Sequence, residues 1–394
     1  LTFGPAVTAL AAPAAIIPVP CSTSALVTAV STAPSGSVLA LTPFCTYTLT
    51  AGLPAITDTL TFTGPATLAR STAEETPNFS IMTVGDGGLV VTIKVNFTNG
   101  DASEDAVDGG AINNDGGQVF VNFGTFTDNT ASDEGGAIYS ADGLLKVKGA
   151  IFTGNSAGYG GAIANESDAS ITGALFAGNN AATDGGGVYS DGDTSVNLSA
   201  FSGNSSPDGG GAYNADTLNI TNSKFTGNQA ATEGGGVFND DSMVLANDTF
   251  TSNGGSTTQG GAVYNEDVLN MVACTLTSNQ AENGGGLLDE DTATLLNDNI
   301  QSNTATVNGG GVLVQYRLTA TGTRIHNNAA GADGGGIFNT GVETLIHSQV
   351  NFNNATVNGG GIYEAGTTTL TSTGVVSNTP NNCVPTGSVA GCLA

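Results

Sequence analysis

The sequence holds no tryptophan, two histidines and seven basic residues in 394 positions. The cations are Lys94, Lys146, Lys148, Lys224, Arg70, Arg317 and Arg324, and the net charge of −27 follows from their scarcity, since only 10% of residues are charged. Recognition of nucleic acid or of an anionic membrane surface needs basic patches, so both partners are excluded. Downstream of the first twenty residues no uninterrupted run of 18 apolar residues occurs, which argues against a spanning helix and membrane insertion. A helical period long enough for a leucine-rich horseshoe is also missing. Disorder is disfavoured by a 39% hydrophobic fraction spread evenly along the chain. Collagen is disfavoured because the glycines cluster in pairs and triplets rather than at every third position.

What is present is repetition, which overrides the two or three domains that 394 residues would ordinarily suggest. Gly-Gly pairs begin at Gly109, Gly135, Gly160, Gly185, Gly209, Gly234, Gly260, Gly284, Gly309, Gly334 and Gly359, at a period of about 25 residues. In phase with them an apolar residue is followed three positions later by Asn, from Phe126–Asn129 through Phe201–Asn204 to Val375–Asn378. Between the markers the chain alternates: Leu218 and Ile220 point one way, Thr217, Asn219 and Thr221 the other, which is strand periodicity. Three short strands separated by Gly/Asn/Asp/Ser turns make one coil. A lone coil cannot offset the entropy of ordering its residues, so coils must stack. The predicted fold is all-β, a single parallel β-solenoid of eleven or twelve coils, roughly 55 Å long at about 4.8 Å per coil. Its glycines serve as bends, and its Asn residues stack in a ladder that satisfies turn amides.

Gly-Gly-Ala-Ile at 109–112, 135–138 and 160–163, combined with Phe-x-x-Asn, resembles the polymorphic outer-membrane protein repeat. The resemblance covers residues 97–378 and implies a right-handed parallel β-helix, surface exposure and adhesion, with no catalytic residues to carry over. The chain looks more like free-standing secreted members than like those with a C-terminal membrane barrel. By the same resemblance, residues 21–96 form an N-terminal cap and first coils, with a short capping helix near Ser24–Thr32. Residues 379–394 form a C-terminal cap.

Cys21 and Cys45 bracket the start of this region, and Cys383 and Cys392 its end. Two short disulfide loops at the ends suit an oxidising, extracellular setting; four unrelated buried thiols are the alternative. Cys274 is left over, a lone thiol in one coil or an intermolecular link. Residues 1–20 are apolar and resemble the tail of a signal peptide without its basic region, and they are read as an N-terminal arm that a neighbouring subunit could cover. Eight Asn-x-Ser/Thr sites, including Asn165 and Asn204, are near chance for this composition.

Chemistry is harder to find. Arg317, Arg324, His326 and His347 are the one gathering of Arg and His, and no irregular acidic cluster accompanies them. Hydrolases of polysaccharides need carboxylates converging on one bond. Here Asp108, Glu134, Asp184, Asp208, Glu233 and Asp333 each precede a Gly-Gly pair, as a surface row would. Ca²⁺ is the one cofactor such a row could hold, though the Ca²⁺-binding nonapeptide is missing. An aromatic row, Tyr139, Tyr189, Tyr213, Phe238, Tyr264, Phe338 and Tyr363, directly follows the inward aliphatics. Alternation turns these rings outward, either merely covering the sheet or offering an exposed ladder to glycans or a second chain. The sequence therefore predicts a secreted, non-enzymatic structural or adhesive protein that assembles with itself. A polysaccharide-binding or polysaccharide-degrading β-helix is the alternative.

Overall fold

The computed structural model describes residues 15–103, 108–255 and 258–392. They form a right-handed parallel β-solenoid of about 15 turns with one short helix. At about 4.8 Å per turn the rod is roughly 70 Å long. Most strands pair in parallel with their equivalents one coil before and one coil after: Leu144–Lys148, for example, lies between Gln118–Asn122 and Asp168–Thr172. A coil contains four strands rather than the expected three. The unit after Gly160 shows them as Ile163–Asn165, Asp168–Thr172, Leu175–Ala177 and Asn180–Asp184. The second and third belong to one bent 27-stranded sheet, which is why a single turn signal between them was easy to overlook.

Two rows of side chains explain why this sequence stacks. Phe97, Phe126, Phe152, Phe176, Phe201, Phe225 and Phe250 lie fully inside, ring on ring at 4.4–5.0 Å between centroids. Each buried ring contributes about 1.5–3 kcal/mol from burial, and the stacking adds roughly 0.5–1.5 kcal/mol per pair. Beside them runs the Asn ladder. Asn204 donates through Nδ2 to Asn228 Oδ1 at 2.9 Å and to the Phe176 carbonyl at 3.1 Å, while its Oδ1 accepts from the Asn179 backbone N–H at 3.0 Å. Corner amides with no water to bond are thereby paired along the axis, as expected from the sequence. Asn204 is buried in this ladder and Asn165 in a second inward row, on the Gly-Gly sheet, so neither can carry a glycan as folded.

The solenoid is longer than its markers. Ile16–Val19 pairs with Val38–Leu41, and Leu60–Thr63 of the next turn pairs in turn with Ser37–Ala40, although none of these turns carries Gly-Gly or Phe-x-x-Asn. The corner at Phe44, φ 60°, recurs in the following coils at Lys94, φ 56°, and Phe123, φ 58°. The strand Leu89–Thr98 runs through position 97, so the early coils and the repeats share one continuous sheet. Residues 1–14, most of the stretch read as an arm, lie outside the described residues.

Both ends carry the expected disulfides, Cys21–Cys45 and Cys383–Cys392. The helix is Thr23–Thr32; the Ser22 side chain caps it by accepting from the Ala25 N–H, and Leu26, Ala29 and Val30 enter the core. Cys274 is a buried free thiol. It occupies an interior polar row between Asp248 and Asp298, whose position precludes a link to another chain as folded.

Candidate functional site

The Gly-Gly turn builds the most distinctive surface of the rod. Its first glycine sits at φ 59–67° in all eleven coils, a conformation that disfavours any side chain. The chain then reverses so that the aliphatic enters the core and the next residue faces outward, beneath the turn. A Cβ on Gly234 would meet Phe238 Cα at 2.9 Å, and one on Gly260 would meet Tyr264 Cβ at 2.9 Å. The aromatic row is thus roofed by its own turns. Phe238 and Tyr264 are only 4% and 3% exposed, and Tyr139, Tyr189, Tyr213, Phe338 and Tyr363 are half-buried. Of the two readings of this row, rings that cover the sheet or rings that form an exposed ladder, the burial fits the first. Alternation sets which side of the sheet a ring leaves from, whereas the returning turn decides how much of it water reaches.

The row is also discontinuous. Tyr189, Tyr213, Phe238 and Tyr264 stack at 4.7–5.5 Å, and Phe338 stacks on Tyr363 at 4.9 Å. Leu288 and Leu313 fill the gap between them. At the other end Ala164 interrupts the row, and Tyr159, from the position before a Gly-Gly pair, leans over Tyr189 at 5.2 Å.

Two acidic rows flank the rings. One is the row before the glycines. The other, missed from sequence, lies two residues after the aromatic position and contains Glu166, Asp191, Asp240, Glu266 and Glu290. Its signal was the fixed offset, obscured because Ala141, Ala215 and Ala365 occupy the same position in other coils. Phenol hydroxyls tie the rings to this second row: Tyr139 donates to Glu166 Oε2 at 2.9 Å and Tyr213 to Asp240 Oδ2 at 3.4 Å. Crowded, half-buried carboxyls hold protons unusually tightly. Burial, then the charges of Glu166 and Asp108, push Glu134 up to about 8. Burial and Asp240 raise Glu266 to about 7. Burial, with Asp208 and Asp240, raises Asp184 to about 6. The tyrosines follow in the same direction, since burial and neighbouring carboxylates both oppose phenolate. Chemically this face is an acidic strip that repels anions.

The other candidates stay apart. Arg317 and Arg324 are exposed on the outer sheet. His326 is half-buried between Asn299 and Asn327, its affinity for a proton lowered by burial and by Arg324. Among the described residues no three or more His, Cys, Asp or Glu side chains gather as a metal-holding group. Among them, too, no helix is long and apolar enough to cross a membrane, which says nothing of a β-barrel.

Comparison with known proteins adds one positive finding. Residues 124–141 match the family model described as the Chlamydia polymorphic membrane protein repeat. The matched stretch contains the Phe126–Asn129 corner and the Gly135–Ile138 turn, the two features that recur in coil after coil. No curated protein and no solved structure matches the chain significantly. Repeat, turn and corner together make this chain a polymorphic-membrane-protein-like parallel β-helix.

Proposed function

We propose that this chain is a secreted, non-enzymatic surface protein of adhesive type whose rod presents repeated faces to partners, and that copies of it associate into a fibre. The observation that carries the reading is the continuity of the ladder. About 15 coils stack in parallel, and in the Gly-Gly coils acidic and aromatic side chains recur as rows instead of converging on a centre. The matched repeat supports surface display. Self-association is supported by the edge of the long sheet: Thr367–Thr371 pairs on one side only, with Val342–Ile346, and Val376 beside it is exposed. Such edges accept a further strand unless they are covered. Labelling intact source cells with a membrane-impermeant reagent should modify the protein, and micrographs of purified chain should show filaments. Isolated rods at all concentrations would sink the assembly reading, and protection from the reagent would sink surface display. Loss of filaments on deleting residues 1–14, which keeps the Ile16–Val19 strand in place, would place the arm in the contact.

A polysaccharide-degrading reading draws on one observation, the carboxyl pair of Glu134 and Glu166 beside Tyr139. Glycosidase carboxyls stand about 5–9.5 Å apart so that sugar and water fit between them. Glu134 Oε2 is buried out of reach of water, so sugar and water do not fit against it. Turnover in a screen of acidic and neutral polysaccharides would overturn this choice.

A further inference from the structure

On a chain with seven basic residues, two of them stand on the same outer face of one strand. Lys146 and Lys148 are both exposed, and alternation places their Cα atoms about 6.6 Å apart. The register with the previous coil sets Phe120 beside Lys146 and Asn122 beside Lys148; the following coil brings Ser170 and Thr172. Together these six residues line a shallow cleft of about 360 Å³. The Lys146 ammonium lies 5.1 Å from the Phe120 ring centroid, so its stem is steered by the aromatic ring rather than left to wander. Among the described residues the one ion pair is Arg70–Asp101, so neither lysine is neutralised within the chain.

The next residue along the corner supplies an open aromatic face. Phe123 is 53% exposed and sits at φ 58°, where the following two coils place Gly149 and Gly173. Its ring lies against Gly149, so closely that a Cβ there would stand 2.7 Å from it, which puts the ring next to Lys148. One coil earlier Lys94, the residue after Ile93, occupies the same corner and is exposed. Three of the seven basic residues and two aromatic rings therefore share three coils.

We infer that this face binds an acidic saccharide unit, a pyranose bearing one carboxylate or sulfate, with its ring on Phe123 and its anion between Lys146 and Lys148. Sugar rings stack on exposed aromatic faces, and hydroxyls find partners in Asn122, Ser170 and Thr172. The groove runs on to Asp168 and Asp193, whose carboxylates repel a second anionic unit. Selectivity is thus for a single acidic sugar rather than a polyanion. The tyrosine row cannot take this ligand, because carboxylates border it on both sides.

The inference supplies a ligand for the adhesive reading and rests on it, and titration of purified chain tests the site without reference to where the chain is displayed. Full-length chain is titrated with sialyllactose, a sulfated lactose and lactose. At least one acidic probe should bind ten-fold or more tighter than lactose, the tighter of the two identifying carboxylate or sulfate as the group, and binding should weaken as salt rises. K146Q/K148Q should lose binding at least ten-fold with an unchanged circular dichroism spectrum and melting curve. K146R/K148R should retain it, and K224Q should leave it unaltered. Equal binding of lactose, no binding of either acidic probe at millimolar concentration, or full binding by K146Q/K148Q would each overturn the site. Surface labelling of cells is scored separately, so failure of the site and failure of surface display are told apart.

Discussion

Asp289 offers the sharpest test of how the interior works. It belongs to an inward polar row on the Gly-Gly sheet, where Asn214, Asn239 and Asn265 precede it, each donating to the next coil's side-chain oxygen at 2.7–2.8 Å. Each of these amides also donates to a carbonyl two residues ahead. Asp289 cannot donate when ionised. It accepts from Asn265 through Oδ1, its Oδ2 has no partner, and it is fully buried. Burial accordingly raises its pKa from 3.8 to about 7. The folded state thus binds the proton more tightly than the unfolded state, and stability is fully present below pH 4 and lost as pH rises through about 7. At about 1.36 kcal/mol per pK unit, ionisation at pH 8 costs on the order of 4 kcal/mol. Asp289→Asn restores the row: the amide keeps Oδ1 on Asn265 and can reach the Asp291 carbonyl. Urea unfolding followed by far-ultraviolet circular dichroism should show the variant gaining about 2–4 kcal/mol at pH 8 and little at pH 4.5. A gain of equal size at both pH values, or a loss at pH 8, would refute the argument.

The remaining predictions concern the whole rod and its rows. Asp248 and Asp298 at about 7 and Glu343 at about 8 are raised by the same burial, so acidification from pH 8 to pH 4.5 should raise the thermal midpoint of the unmodified chain; a fall would contradict the buried-carboxyl account. Asn204→Ala leaves the Asn179 N–H and the Phe176 carbonyl without their side-chain partners and should cost about 3–5 kcal/mol, seen as lost hydrogen-exchange protection in residues 176–228. Gly136→Ala would drive a Cβ onto the Gly161 carbonyl and the Ser156 backbone and should prevent soluble expression, whereas Gly178→Ala, with nothing within 4 Å but φ 62°, should cost only about 1 kcal/mol. Cys274, pushed up to about 12 by burial, should resist thiol reagents in the folded chain and react once it is unfolded.

The family resemblance implied the capping helix and the cysteines marked both ends; the period, the Gly-Gly turns and the Phe and Asn corners were legible in the residues. Each is either a local conformational requirement, such as the positive φ at Gly135, or a pattern that recurs at one spacing. Other features were decided only by the tertiary structure. The first turns stack in parallel on the later ones without carrying either marker, so the coil count exceeds the count of markers. The returning turn roofs Phe238 and Tyr264, so a row that alternation sends outward ends half-buried or buried. Glu134 meets Glu166, and Lys146 meets Phe120, across neighbouring coils whose lengths vary by a residue or two. The physical reason is the same in each case. Spacing along the chain dictates the conformation of a coil, but only the register between coils determines which side chains become neighbours, and this protein's chemistry is made of those neighbours.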